Sequence, residues 1–449
     1  MTSTPPPTGS YREWAPTYPV KPESPHFSDG FYAERRSPRG PVPFLNATRA
    51  YFPLHLPVPP RRPAAPLAPI ARLWRSRDNR KGRHAAVVTS EQIRDGRIEL
   101  PAATNTLREI GKGLWRMVVR YPVWDISYDV AVFFTIGSVV WCINGFFAWL
   151  PLAAPDTEFP GETGWGGGLT GFIGATIFEA GSVLMVLEAV NEDRTGCFGW
   201  ALEQVLDREV IRLRGNGHRG RGEEHCRHHH PHRLSFLRPR PTTSQPLSEL
   251  ALQPISTATD DATLVGSEKL GRTRRWSWCP SWWELRTHYF REIGFLASFT
   301  QLLGATIFWI AGISGLPVIQ DRLKGKSLNG VYWAPQVVGG AGFIISSALI
   351  MLEVQERWYL PNLKSLGWHI GLWNFIGAIG FTLCGALGFG FSQSRPGVEY
   401  ASTLSTFVGS WAFLIGSAIQ WYESLAKYPV CIADSTSMPW AVDSKPDPV

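Results

Sequence analysis

The residues on which cross-linking and catalysis usually rest are scarce in this chain. Its 449 residues include only 6 cysteines and 11 histidines, and six of those histidines lie between His218 and His232. Cys142 and Cys384 fall inside apolar stretches, while Cys197, Cys226, Cys279 and Cys431 fall on the side expected to face the cytosol. No structural disulfide is therefore expected. Nucleophile elbows, phosphate-binding glycine loops, HExxH and paired-cysteine ligand sets are all missing, and nothing supports an enzyme or a resident cofactor. The run Gly164-Trp165-Gly166-Gly167-Gly168 lacks the strand context of a nucleotide motif. No signal-peptide pattern precedes the first apolar run, near residue 129, so the first span is expected to act as its own insertion signal.

Charge is scarcest in six stretches, about 129–152, 167–190, 293–316, 333–354, 368–391 and 402–425. Each is long enough to cross a bilayer, which takes about 20 apolar residues. The 20 tryptophans crowd the ends of these runs, where a ring can sit half in lipid with its N–H wet. Net charge is +7, and its placement is lopsided. Lys and Arg number 20 before the first span, 16 between the second and third, 2 between the fourth and fifth and 2 after the sixth. The alternate loops hold 0, 3 and 1. This bias puts both termini in the cytosol and makes an anionic leaflet, rather than nucleic acid, the expected partner of the basic residues.

The apolar stretches carry a pattern three times. The second helix of each pair reads Gly-x3-Phe-x2-(Gly/Ser)-Ser-x5-Glu. Its copies are Gly174, Phe178, Gly181, Ser182 and Glu188; Gly339, Phe343, Ser346, Ser347 and Glu353; and Gly409, Phe413, Gly416, Ser417 and Glu423. The first helices match as well, with Gly137, Trp141 and Gly145 in register with Gly304, Phe308 and Gly312 and with Gly377, Phe381 and Gly385. Small residues on one helix face let another backbone approach closely in lipid, so packing is the first meaning of the motif. Three like hairpins are expected to form a six-helix bundle with a pseudo-threefold axis along the membrane normal.

The segment Phe-x-x-Gly-Ser in the second helices resembles the YrhK-like family, small two-helix bacterial membrane proteins without assigned activity. The whole chain resembles multi-pass integral membrane proteins of filamentous fungi. These resemblances cover the six spans, imply membrane insertion and hairpin repetition, and carry over no catalytic residue. Mitochondrial carriers also have three two-helix repeats, but their Pro-x-(Asp/Glu)-x-x-(Lys/Arg) gate is absent. The first span ends Leu150-Pro151-Leu152-Ala153, the third ends Leu316-Pro317-Val318-Ile319, and the fifth has no proline at its end.

Few positions invite chemistry. Glu179 lies near the middle of the second span, where the other copies have Ile344 and Leu414. A charge there costs about 2.5–3.5 kcal/mol, so it is expected to face the bundle or a wet cavity as a proton or cation site, or to stay protonated as a packing residue. Asn144, Gln301, Asn374 and Gln420 are the polar neighbours that could reach it. Glu188, Glu353 and Glu423 should form an acidic ring at the cytosolic ends of the second helices, an unfavourable place for a carboxylate. Arg357 and Lys427, four residues on, and Arg194 are the expected compensating partners. The tract His225, Cys226, His228, His229, His230 and His232 is a candidate for loose metal binding without the paired spacing of a zinc site. Pro57, Pro60 and Arg62 fit a P-x-x-P-x-R ligand for an SH3-type groove.

The chain thus divides into a Pro- and Arg-rich disordered tail (1–104), a basic amphipathic interfacial helix (105–128) and a first hairpin (129–190). A low-complexity cytosolic loop follows (191–280), whose start from Trp200 to Arg214 can continue as an amphipathic helix. The second hairpin (281–354) has a lead-in anchored at the interface by Trp276, Trp278, Trp282 and Trp283. The third hairpin (368–425) and a cytosolic tail (426–449) complete it. The expected fold is an all-α membrane protein of six transmembrane helices in three hairpins, with long disordered cytosolic segments. The expected function is that of a non-enzymatic membrane organiser or adaptor. The alternative is a transporter or channel for a proton, cation or small solute using Glu179.

Overall fold

The computed structural model describes residues 36–54, 70–83, 85–90, 94, 98–99, 106–192, 194–205, 238–239, 276–390, 396–427 and 429–433. Its strands are β1 (Arg36–Arg39), β2 (Arg49–Leu54), β3 (Ile70–Arg75), β4 (Ala85–Thr89), β5 (Ile98–Glu99), β6 (Arg238–Pro239) and β7 (Val430–Ala433). Its main helices are α1 (Ser76–Arg80), α2 (Leu107–Val119), α3 (Ile126–Ala153), α4 (Gly168–Val190), α5 (Trp282–Thr287), α6 (Ile293–Ser314), α7 (Ala334–Val354), α8 (Leu366–Gly390) and α9 (Pro396–Ser424).

Six of these helices, α3, α4 and α6 to α9, are long and apolar enough to cross a membrane. Each packs on the next in sequence and α9 closes on α3, so they form a ring. Lipid supplies no hydrophobic drive between helices, so contact rests on small residues and close backbones. A methyl on Gly339 would come 2.7 Å from the Gly304 carbonyl oxygen, and one on Gly409 would come 2.9 Å from that of Gly377. The glycines also make room for aromatic rings of the partner helix. Gly137 lies under Phe178 and Gly174 under Trp141; Gly339 lies against Phe308, and Gly377 under Phe413.

Those rings fill the centre of the bundle. Trp141, Phe308 and Phe381 form one triangle, with centroid separations of 4.8, 5.6 and 5.7 Å. Phe178, Phe343 and Phe413 form a second, at 5.6, 6.3 and 6.5 Å. The two triangles touch through Phe308–Phe343 at 5.7 Å and Phe381–Phe413 at 5.3 Å. All of these contacts are edge-to-face or tilted, the arrangement that aromatic quadrupoles favour. All six rings belong to one buried cluster.

A sheet covers one end of the ring, called here the capped end. Its order is β1-β2-β3-β4-β7, antiparallel except for the parallel pairing of β7 on β4, where Val87 faces Cys431. Segments from both ends of the chain therefore lie on the same side of the bundle. The 1–104 segment, expected to be unstructured, contributes β1 to β4, and the 426–449 tail contributes β7. Composition misleads here because the strands are short and separated by proline-rich sequence. The sheet is fixed to the bundle by Asn46 N–H donating to the Arg291 carbonyl (2.8 Å) and by an Arg49–Glu356 ion pair.

Helix α2 matches the expected amphipathic helix and is capped by Thr106, whose Oγ1 accepts from Glu109 N–H at 3.4 Å. Its Gly113 packs on the Tyr422 ring, while Leu107, Leu114, Trp115, Val118 and Val119 stay exposed. Trp276, expected at the interface, is instead buried with Cys197 and Phe198, while Trp282 and Trp283 are exposed as an interface anchor requires. The helical start of the 191–280 loop is seen over 198–205.

Candidate functional site

The most unusual chemistry in the molecule lies where the sheet meets the ring. Strands β3 and β4 pair antiparallel, and the segment that joins them enters the capped end of the bundle. It begins at α1 and carries Arg77, Arg80, Lys81 and Arg83, of which the first three are almost fully buried. The chain turns back at Gly82, whose φ of +60° is left-handed and suits glycine. A side chain there would also strike Thr195 Oγ1 at 2.3 Å.

These cations meet the three motif glutamates. Arg80 bridges two of them, with Nη2 2.7 Å from Glu353 Oε2 and Nη1 3.2 Å from Glu188 Oε2. Lys81 Nζ lies 3.3 Å from Glu188 Oε1. Glu423 receives Arg77 Nη2 at 2.7 Å and Arg83 Nη1 at 2.6 Å. Ser76 Oγ donates to Glu353 Oε1 at 2.9 Å, and Asp78 accepts from Arg75 and Arg83. Lys427 holds the rim, pairing with Asp125 at 2.6 Å and donating to the Lys81 carbonyl at 2.9 Å.

The acidic ring therefore exists, but its partners differ from those expected. Of the two residues four positions on, Lys427 pairs with Asp125, and Arg357 donates to the Tyr359 hydroxyl. The Glu353 and Glu423 carboxylates are buried and are held by Arg80 and by Arg77 with Arg83 instead. A register signal for the cap was present in the sequence. Ser127, Gly294 and Gly367 each stand ten residues before the first-helix glycines Gly137, Gly304 and Gly377. A methyl on Gly294 would come 2.8 Å from Arg80 Nε, and one on Gly367 would come 2.5 Å from Arg77 Nε. Small residues at these sites leave space for the inserted guanidinium groups.

The cap is electrostatically tight. Burial alone would lower the Arg80 pKa, but Glu353 and then Glu188 hold it above the usual guanidinium value. Burial pushes the Lys81 ammonium down to about 8, against the pull of Glu188. Folding thus weakens proton binding at Lys81 relative to the ordinary value of 10.5. Between those two pH values the unfolded chain binds more protons, so this group's contribution to stability rises with pH. Thermal unfolding of the wild type and Lys81→Met from pH 7 to 10.5 is expected to show a rising component, on the order of 3 kcal/mol, that the variant lacks.

Glu179 does not face the axis. It sits in the outer seam between α4 and α6, half-buried, where Thr306 Oγ1 donates to its Oε1 at 2.9 Å and Trp309 Nε1 donates to Thr176 Oγ1 nearby, also at 2.9 Å. None of the four expected polar neighbours is its partner. Asn144 donates to the Gly167 carbonyl and to Thr170, while Gln301, Asn374 and Gln420 line a space on the axis. The sequence pattern placed Glu179 at mid-span but could not tell the seam from the axis, because it follows Phe178 by a single residue.

One group of potential metal ligands occurs among the described residues, Glu192, His288 and Glu292, whose ligand atoms lie within 4.8 Å of one another. His288 is buried and pairs with Glu292 at 2.9 Å, and Glu192 accepts from Asn79 at 2.9 Å, so these groups already serve an ion network beside the cap. The His225–His232 tract and the Pro57–Arg62 ligand motif lie outside the described residues.

No family model, curated protein or solved structure matches the chain.

Proposed function

We propose that this protein is a non-enzymatic membrane organiser: three copies of a two-helix hairpin closed into a sealed six-helix ring, with capped end and termini in the cytosol. The observation that carries this reading is the filled axis. Two triangles of aromatic rings occupy its middle and a neutralised ionic cap occupies one end, so the bundle behaves as a packed core rather than a conduit. The cap also presents a folded sheet on the cytosolic side. The Pro57–Arg62 motif, which falls between β2 and β3 in the sequence, would serve as a ligand for an SH3-type partner. The exposed apolar face of α2, beside Arg108, Lys112, Arg116 and Arg120, suits an anionic leaflet.

The competing reading uses Glu179 as a proton or cation site. Its position in the lipid-facing seam favours hydrogen-bonded packing instead, since Thr306 and Thr176 give that seam polar contacts within the membrane. Purified protein in proteoliposomes is expected to carry no proton, sodium or potassium flux above empty vesicles. Glu179→Gln is expected to leave vesicle tightness unchanged and stability within about 1 kcal/mol, the scale of one intramembrane hydrogen bond. Flux in the wild type that is lost in Glu179→Gln would establish transport.

A further inference from the structure

Between the second aromatic triangle and the ionic cap lies a cavity of about 30 Å³. Phe178 and Phe413 of the triangle line one side of it. Its polar lining comes from four helices: Ser138 on α3, Gln301 on α6, Asn374 on α8, and Ser417 and Gln420 on α9.

The three amides are unusual for their places. Gln301 and Asn374 stand three residues before the first-helix glycines, where the first hairpin has Phe134. Gln420 stands eleven residues after Gly409, where the other copies have Met185 and Ile350. The same layer of the same bundle thus accepts apolar side chains, and packing alone does not call for amides. Gln301 and Gln420 are only 8% and 7% exposed, and none of the three amides has a hydrogen-bond partner among the described residues. A buried amide without a partner is costly. Ser138 and Ser417 donate their hydroxyl protons to the Phe134 and Leu414 carbonyls, at 2.7 and 3.1 Å, so both offer lone pairs to the cavity.

The lining therefore presents acceptors from hydroxyls and carbonyls together with N–H donors from the amides. No carboxylate lines it, and the glutamates of the next layer are already paired with arginine and lysine. A guest must be small and neutral, and able to donate and accept at once. The volume is enough to hold ordered water. We infer that the cavity is a binding site for water, in which one or two ordered molecules join the amides of Gln301, Asn374 and Gln420 to the oxygens of Ser138 and Ser417. This holds whichever function the bundle serves.

The test is a structure of the full chain in lipid nanodiscs at a resolution that shows ordered water, collected in sodium and again in thallium. Expected is density within about 3 Å of at least two of the three amides, the same in both salts. An empty cavity, or a peak that strengthens in thallium and so marks a monovalent cation, would overturn the assignment. Stability gives an independent reading. Gln301→Leu and Gln420→Leu singly are expected to lower the unfolding temperature by about 2–4 °C, since each strands the water's remaining partners. Adding Asn374→Leu to that pair should recover most of the loss, because no unpaired amide is left and the Ser138 and Ser417 hydroxyls keep their carbonyl partners. Losses that simply add across the three sites would count against a shared water.

Discussion

Arg80→Met is expected to destabilise the protein by about 3–5 kcal/mol, the cost of stranding buried charge. Among the described residues Arg80 is the one cation that bridges two glutamates, and the three groups are almost completely buried. Without it Glu188 keeps Lys81, but among the described residues Glu353 keeps only the Ser76 hydroxyl. Removing the stranded charge should restore much of the loss, so Arg80→Met combined with Glu353→Gln is expected to be clearly more stable than Arg80→Met alone. Thermal unfolding in nanodiscs reads this directly. A double variant as unstable as the single would mean that the guanidinium acts by filling space rather than by charge. The intact pairs need add little net stability, since desolvation offsets most of their attraction. We attribute to them a role in specificity: three carboxylates, two sharing Arg80 and the third held by Arg77 and Arg83, fix how the hairpin between β3 and β4 enters the ring.

Phe381→Ala should cost a similar amount, about 3–5 kcal/mol, for a different reason. Phe381 is 2% exposed and touches rings of both triangles, Trp141 at 4.8 Å, Phe413 at 5.3 Å and Phe308 at 5.6 Å. Truncation leaves a void that glycine-packed backbones cannot close, because Gly377 and Gly409 already bring their helices to near the closest approach. Phe381→Leu keeps most of the volume and is expected to lose less than half as much. Vesicle leakage separates seal from stability. If the aromatic layer and the ionic cap each close the axis, neither Phe381→Ala nor Arg80→Met alone should make proteoliposomes leaky to small ions, whereas the combination should. Leakage from either single variant would show that one layer is the whole barrier.

Much of the molecule was legible in the chain because lipid leaves few choices. Backbone polar groups must be satisfied within each span, so an apolar run of the right length becomes a helix whatever surrounds it. The six spans follow from that, with ends shifted by a few residues where α3 begins at Ile126 and α9 at Pro396. The glycine and phenylalanine positions of the pattern could be named as packing sites from spacing alone, and the structure places both in the helix contacts. Thr106 caps the start of α2, and Ser281 with Glu284 caps the start of α5, each through side chains within three residues, because a cap is a local device.

What stayed hidden was every contact between distant segments. The partners of Glu423 and Glu353 include Arg77 and Arg80, whose ion pairs span 346 and 273 residues of sequence. Pattern reading ranks near neighbours first and therefore offered Lys427 and Arg357. By itself the sequence determined six apolar helices and the small and aromatic faces by which they pack, since hydrophobic length and local periodicity suffice for both. Only the tertiary structure decided that those faces meet as two triangles on one axis, that Glu179 lies in an outer seam, and that a basic hairpin from the N-terminal region seals the acidic ring. Each of these depends on which helix neighbours which and how it is rotated, and the charges balance only when residues far apart in the chain are buried together.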